Sequence, residues 1–219
     1  MRRLIPAAAG LLAALGLALA LDAATGAAAS PKPLVGTFRL TPGKYSGGKA
    51  TGTYFRMITK SGYFKNPDSS SSNKTYTLGT PGTDGGLVTG KFQSHPSPAF
   101  TSNGSARANK IVKPQSFSGI KFSVATLPTD PQSKKKVPAP RIVTSGGKLS
   151  GQVQAFTAEW NSLYFNQGAP KPGGGGGSVS GTYNAKTHHF VLTWKSKIKG
   201  GPFNGFTGDW HFEGTFKAR

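Results

Sequence analysis

Apolar and polar residues alternate over short stretches from about residue 36 onward, and turns rich in glycine, asparagine and aspartate separate these stretches. In FSGIKFSVAT (117–126), for example, Ile120, Phe122 and Val124 fall at every second position. A period of two is that of a β-strand with one buried face. The pattern therefore predicts an all-β fold over residues 30–219, a single β-rich domain built as an antiparallel barrel or sandwich.

The end of the chain carries the clearest hairpin pattern, THHFVLTWKSKIKGGPFNGFTGDWHFEGTF, with a turn around residues 200–204. One register places aromatic residues opposite each other and one aromatic residue opposite a glycine, both favourable cross-strand pairs. The inward pairs predicted by this register are Trp194–Trp210, Leu192–Phe212 and Phe190–Gly214. The outward pairs are Lys195–Asp209, Thr193–His211 and Val191–Glu213.

One segment departs from the period of two. In AFTAEWNSLYFNQG, the residues Phe156, Trp160, Leu163 and Tyr164 are spaced as they are on one side of a helix. We therefore predict one short helix at about residues 155–165, which closes one end of the barrel or sandwich.

Three stretches have the composition of loops. Serine and glycine dominate residues 66–74 and 168–178, and residues 127–140 contain four prolines. Proline cannot donate to a strand ladder, and glycine- and serine-rich chains are flexible. All three stretches are predicted to be flexible loops within the single domain.

The N-terminus has the organisation of a signal peptide over residues 1–29. Arg2 and Arg3 precede an apolar run from residue 4 to residue 21, and Ala27 to Ala29 supply the small residues that a signal peptidase requires. The run is close to the ~18 residues that begin to span a bilayer, so a retained anchor is the alternative. The small residues and the Pro-Lys-Pro that follows favour cleavage, so we expect a secreted protein, extracellular or associated with the cell envelope.

Charge is the strongest feature of the composition. The chain has 27 lysines and arginines against 7 acidic residues, a net charge of +20, and without residues 1–29 the balance is 25 to 6. Such a field attracts anionic cell-wall or surface polymers, and nonspecific adhesion of a merely soluble protein is the alternative. Without a nucleic-acid-binding motif, no sequence-specific nucleic acid is expected. The residues expected to hold the polymer are Lys134, Lys135, Lys136, Lys195, Lys197 and Lys199.

The sequence contains few residues suited to catalysis or to metal binding. The chain has no cysteine and four histidines, and it contains no G-x-S-x-G nucleophile elbow and no phosphate-binding glycine loop. Asp209, His211 and Glu213 alternate along one strand, where such neighbours stand roughly 6–7 Å apart. We interpret this row as a solvated strand face. The sequence therefore favours a non-catalytic binding protein that uses no cofactor and no metal, with a hydrolase as the least favoured alternative.

A carrier is the second hypothesis. A closed barrel can hold a small apolar or aromatic ligand in its interior, bordered by whatever closes the barrel end. The aromatic residues expected to bind such a ligand are Trp160, Tyr164, Trp194 and Trp210.

Two resemblances add to this reading. Glycine, threonine and an aromatic residue follow one another at Gly36, Gly52, Gly181 and Gly214, which is similar to strand ends of avidin- and lipocalin-like barrels. Across most of the chain, segments such as GTFRL, TGTYFRM, PGTDGGLVTG, HPSPAF and GGPFNGFTGDWHFEGTF resemble uncharacterised secreted proteins of actinobacteria. That family has no assigned activity, so the resemblance implies export alone.

Overall fold

The computed structural model describes residues 30–219, and these residues form antiparallel β-sheets with no helix. The predicted all-β class is confirmed. The predicted signal peptide, residues 1–29, lies outside the described residues. The strands are β1 (Lys32–Leu34), β2 (Gly36–Leu40), β3 (Lys44–Ser46), β4 (Lys49–Thr51), β5 (Tyr54–Thr59), β6 (Gly62–Tyr63), β7 (Thr77–Leu78), β8 (Gly86–Val88), β9 (Gln115–Phe117), β10 (Ile120–Thr126), β11 (Arg141–Ser145), β12 (Lys148–Gln152), β13 (Phe156–Trp160), β14 (Leu163–Asn166), β15 (Val179–Tyr183), β16 (His189–Lys197) and β17 (Thr207–Ala218).

The largest sheet is a curled half-barrel with the strand order β1-β11-β12-β15-β16-β17-β2-β8, and β5 carries β6 and β7 beside β17. The long strand β17 is its centre. One edge of β17 pairs with β16, and the other edge pairs first with β5 and then with β2. The curl brings the end of β8 towards β11, where the Gly90 N–H donates to the Pro140 carbonyl at 2.8 Å.

The register of the β16–β17 hairpin agrees with all six predicted pairs. Trp194 lies opposite Trp210, and Phe190 lies opposite Gly214. A glycine is needed at position 214 because a Cβ there would lie 1.9 Å from the backbone oxygen of Arg39 on the neighbouring strand β2. The hairpin therefore forms from alternation and aromatic pairing, as the sequence indicated.

An aromatic core lies between the half-barrel and a second, four-stranded sheet of order β14-β13-β10-β9. Phe156 of β13 packs edge-on against Trp194 and Trp210, with ring centroids 5.0 and 4.9 Å apart. Phe122 of β10 packs against Phe55 of β5 at 5.6 Å. Edge-to-face packing suits the charge distribution of aromatic rings, and burial of these large side chains is the main source of stability.

The predicted helix at residues 155–165 is wrong. The segment is the hairpin β13–β14, and Asn161 and Ser162 form its two-residue turn with φ of 49° and 58°. Two central residues with positive φ form the turn that matches the twist of paired strands, and asparagine accepts that conformation readily. The alternation in FTAEW fits a strand, and the helical spacing of its aromatic residues is coincidental because Phe156 and Tyr164 lie on opposite faces of the sheet.

The three segments predicted as loops contain none of the strands. Two of them still make isolated bridges: Thr129 pairs with Lys136 inside residues 127–140, and Gly176 of residues 168–178 pairs with Ser196 of β16. The first bridge closes the loop of residues 127–140 on itself, and the second places residues 168–178 beside the C-terminal end of β16.

Candidate functional site

A row of lysines occupies the outer face at the end of β16. Lys195, Lys197 and Lys199 are exposed, and the residues between them, Ser196 and Ile198, are buried. Alternation along the strand therefore directs three positive charges to one side, about 6–7 Å apart. This placement agrees with the outward parity that the sequence predicts.

The loop of residues 127–140 brings the second lysine cluster to the same end of the sheet. Asp130, 2% exposed, accepts hydrogen bonds from the backbone of Gln132 and Ser133 at 3.1 and 3.2 Å. The Gln132 side-chain amide donates to the carbonyl oxygen of Lys199. Lys134, Lys135 and Lys136 follow and are exposed. The Gln132 contact thus joins the loop that carries one predicted lysine cluster to the end of the strand that carries the other, and the six lysines are here called the lysine surface.

The glycine-rich segment fixes the strand beneath the lysine surface. The Gly177 N–H donates to the Lys195 carbonyl at 2.8 Å, and the Lys197 N–H donates to the Gly175 carbonyl at 2.7 Å. The buried Lys171 ammonium donates to the carbonyl oxygens of Asn166, at 2.7 Å, and of Lys197. Burial, together with nearby Lys199, lowers the pKa of Lys171 to about 8.

The row Asp209, His211 and Glu213 lies on the outer face of β17, as predicted, but it is partly buried. The Gly52 N–H donates to Oε2 of Glu213 at 2.7 Å, and the two carboxylate oxygens lie 3.2 and 3.5 Å from Nε2 of His189 and His211. Burial opposes ionisation of Glu213, but the Gly52 and histidine hydrogen bonds prevail and hold its pKa below the ordinary value.

The Glu213 carboxylate therefore anchors the segment that precedes β5 to the sheet. Within residues 30–219 no three histidine, cysteine, aspartate or glutamate side chains are arranged to hold a metal ion.

The aromatic residues predicted for a carried ligand do not converge on one site. Trp160 and Trp210 line an apolar cavity of about 40 Å³ between the two sheets. Trp194 stacks on Trp210 at 5.9 Å and does not line that cavity, while Tyr164 lies on the opposite face of the β13–β14 hairpin. A space of this size has room for about three water molecules. A larger ligand requires the core to open, and the carrier hypothesis stays a prediction.

Glu159 is the least expected group in the structure. It is fully buried (0% exposed) on the face of β13 that points away from the aromatic core, and neither carboxyl oxygen has a hydrogen-bond partner. Oε1 lies 3.9 Å from Nε2 of His95, which lines an open pocket together with Arg107 and Lys110. Burial raises the pKa of Glu159 to about 8. The carboxyl group is therefore mostly protonated and neutral at pH 7.

Sequence reasoning placed Glu159 on a helix and did not connect it with His95. The contact joins β13 to the connection between β8 and β9. A local sequence pattern cannot predict a contact between residues so far apart in the chain.

Comparison with protein-family models, curated proteins and solved structures gives no match to this chain. Over residues 30–219, none of the structure is a helix of the length and apolar character needed to cross a bilayer.

Proposed function

We propose that this protein is exported, has no catalytic role, and binds anionic cell-wall or surface polymers through the lysine surface. The observation that carries the proposal is the contact between Gln132 and Lys199, because it joins two lysine clusters that are far apart in sequence. Six positive charges on adjoining exposed segments form a multipoint contact for a chain with repeated negative charges.

Within residues 30–219 the positive charges meet carboxylates only at longer range, as Lys195 and Arg56 do at Asp209. In the part of the chain that the structure describes, no lysine or arginine lies within 4.0 Å of a carboxylate, and the three close charged contacts all involve histidine. Near the lysine surface, the carboxylate of Asp130 is occupied by hydrogen bonds within its own loop. The lysines are therefore available to a polyanion.

Binding of this kind has a recognisable signature. Contacts between exposed charges are screened over about 8 Å at physiological ionic strength, so affinity falls steeply as salt is added. Because the lysine side chains are long and flexible, the spacing of charge on the polymer matters less than its density.

Retention on immobilised polygalacturonate tests the proposal. Residues 30–219 are loaded at low salt and eluted in a salt gradient, alongside a variant with Lys195, Lys197 and Lys199 changed to glutamine. The matched control changes Lys148, Lys186 and Lys217 to glutamine; these lysines are also exposed but lie near the opposite end of β16 and β17. We expect the first variant to elute at clearly lower salt than the control. Equal elution of the two variants would show that net charge, and not this surface, governs retention.

A further inference from the structure

A group of tyrosines lies on the outer face of the half-barrel, across β17 from the lysine surface. Cross-strand pairing places Lys195, Asp209 and Arg56 in one row over β16, β17 and β5. The guanidinium carbon of Arg56 lies 3.1 Å from the ring centroid of Tyr63 and 4.4 Å from that of Tyr76. The positive charge is therefore held between two aromatic rings, an arrangement that cation–π attraction stabilises.

The aromatic group extends beyond Arg56. Tyr76 packs against Tyr45 and Tyr54, with ring centroids 5.3 and 5.1 Å apart. Tyr54 in turn stacks on His211 at 4.4 Å with nearly parallel rings. Tyr63 is 40% exposed at the end of this group. Sequence analysis assigned aromatic residues to the interior, so these outward-facing tyrosines were missed.

A polar cleft adjoins the tyrosines. It has a volume of about 410 Å³ and is lined by Tyr45, Lys65, Ser72, Asn73 and Lys74. The Asn73 side-chain amide donates to the Tyr45 hydroxyl at 3.3 Å, which joins the cleft to the ring group. The cleft therefore combines an aromatic ring, an amide, a hydroxyl and two ammonium groups.

Arg56 makes no close ion pair, and Asp209 interacts with its charge only at longer range. No carboxylate lies within 4.0 Å of it among residues 30–219, and its Nε is buried without a hydrogen-bond partner. Asp209 is its cross-strand neighbour, but the two side chains form no ion pair. A planar guanidinium that makes no close ion pair can bind a carboxylate through two parallel hydrogen bonds.

From this geometry we propose that the surface of Arg56, Tyr63, Tyr45 and the adjoining cleft recognises a polysaccharide that carries carboxylates, as uronic acids do. The carbon face of a sugar ring packs on tyrosine, its carboxylate pairs with Arg56 or Lys65, and its hydroxyls bond to Asn73 and Ser72. This inference rests on the proposed function, because it names the class of anionic polymer that the lysine surface holds.

The polar lining of the cleft favours sugar over nucleic acid as the occupant. Stacking of nucleotide bases uses rings with open parallel faces along a basic groove. Here the Tyr54 and Tyr76 rings meet edge to face and do not form a series of parallel open faces. Small hydroxyl and amide groups in the cleft match the many hydroxyls of a sugar.

The test compares three polyanions on the same protein, namely polygalacturonate, polyphosphate and oligo(dT). Polyphosphate has charge but no ring, and oligo(dT) has rings that are flat bases. The variants are Tyr63→Ala, which removes an exposed ring, and Arg56→Lys, which keeps the charge but loses the planar fork. Phe92→Ala, at a ring that is 39% exposed elsewhere, is the control, and thermal melting verifies that each variant is folded.

We expect Tyr63→Ala and Arg56→Lys each to weaken polygalacturonate binding at least about fivefold. Their binding of polyphosphate, and the binding of polygalacturonate by Phe92→Ala, should change less than about twofold. If polygalacturonate and polyphosphate both bind the wild type, and neither variant selectively weakens polygalacturonate binding, this inference is overturned and the proposed function stands. A selective loss of oligo(dT) binding assigns the tyrosines to nucleic acid and also overturns it. If the wild type binds no polyanion at low salt, the proposed function itself fails.

Discussion

Replacement of Glu159 by glutamine removes the one carboxyl group within residues 30–219 that is fully buried without a hydrogen bond. The two side chains have nearly the same shape, but glutamine stays neutral at every pH. We predict that Glu159→Gln abolishes most of the loss of stability that the wild type shows between mildly acidic and mildly alkaline pH. His95 and Tyr164 are the titratable neighbours that face this carboxyl group, and both are kept in the variant.

The magnitude comes from the pKa of the buried carboxyl. Burial raises it from 4.5 to about 8, and each pH unit in that interval corresponds to about 1.4 kcal/mol. The folded protein holds the proton more tightly than the unfolded chain does, so this group's contribution is fully present below pH 4.5. It declines as the pH rises to about 8 and is then level. The total is about 5 kcal/mol, an upper bound because local opening of the covering segment admits water to the ionised group.

Urea unfolding at pH 5, 7 and 8.5, followed by tryptophan fluorescence, measures this contribution. Trp194 and Trp210 are each 2% exposed, so unfolding changes their environment strongly. The wild type should lose several kcal/mol of unfolding free energy from pH 5 to pH 8.5, and Glu159→Gln should lose much less. Parallel pH profiles for the two proteins would refute the reasoning, because they would mean that Glu159 is solvated or already paired in the folded state.

Two further predictions concern local contacts. Glu213→Gln should destabilise the protein by about 1 kcal/mol at pH 7, because the charged partner of the Gly52 N–H is lost. Its pKa is lowered in the folded state, so the difference from wild type should vanish as the pH falls below that lowered pKa, and urea unfolding at pH 3 and pH 7 checks this. Ser162→Val should cost about 1–3 kcal/mol, since φ is 58° in the β13–β14 turn and a β-branched residue is strained there. Ser162→Gly should be neutral or stabilising, and thermal melting separates the two variants.

The success and failure of sequence-based prediction have physical causes. Parity and aromatic pairing determine the β16–β17 register because a slip of one residue would move the whole inward set of one strand, with its tryptophan, to the outer face. The helix prediction failed because the four-residue spacing of Phe156 and Trp160 fits both a strand and a helix, and the positive-φ turn at Asn161 and Ser162 puts Tyr164 on the other face.

Long-range approaches explain what the sequence did not reveal about the sites. The lysine clusters are visible in the sequence, but their junction depends on the position of Gln132 against Lys199. The contact of His95 with Glu159 also joins distant segments. The sequence did not predict it because alternation indicates only the face of the strand on which a residue lies. Tyr54 alternates with the buried Phe55 along β5 and therefore points outward, a position that a search for inward aromatic residues does not find.

Lysine footprinting tests the central claim most directly. Residues 30–219 are briefly acetylated with and without polygalacturonate, and the modification of each lysine is measured by peptide mass spectrometry. Bound polymer should protect Lys134, Lys135, Lys136, Lys195, Lys197 and Lys199 and leave Lys148, Lys186 and Lys217 as reactive as in the free protein. Equal protection of both groups, or protection of the second group alone, would contradict binding through the lysine surface.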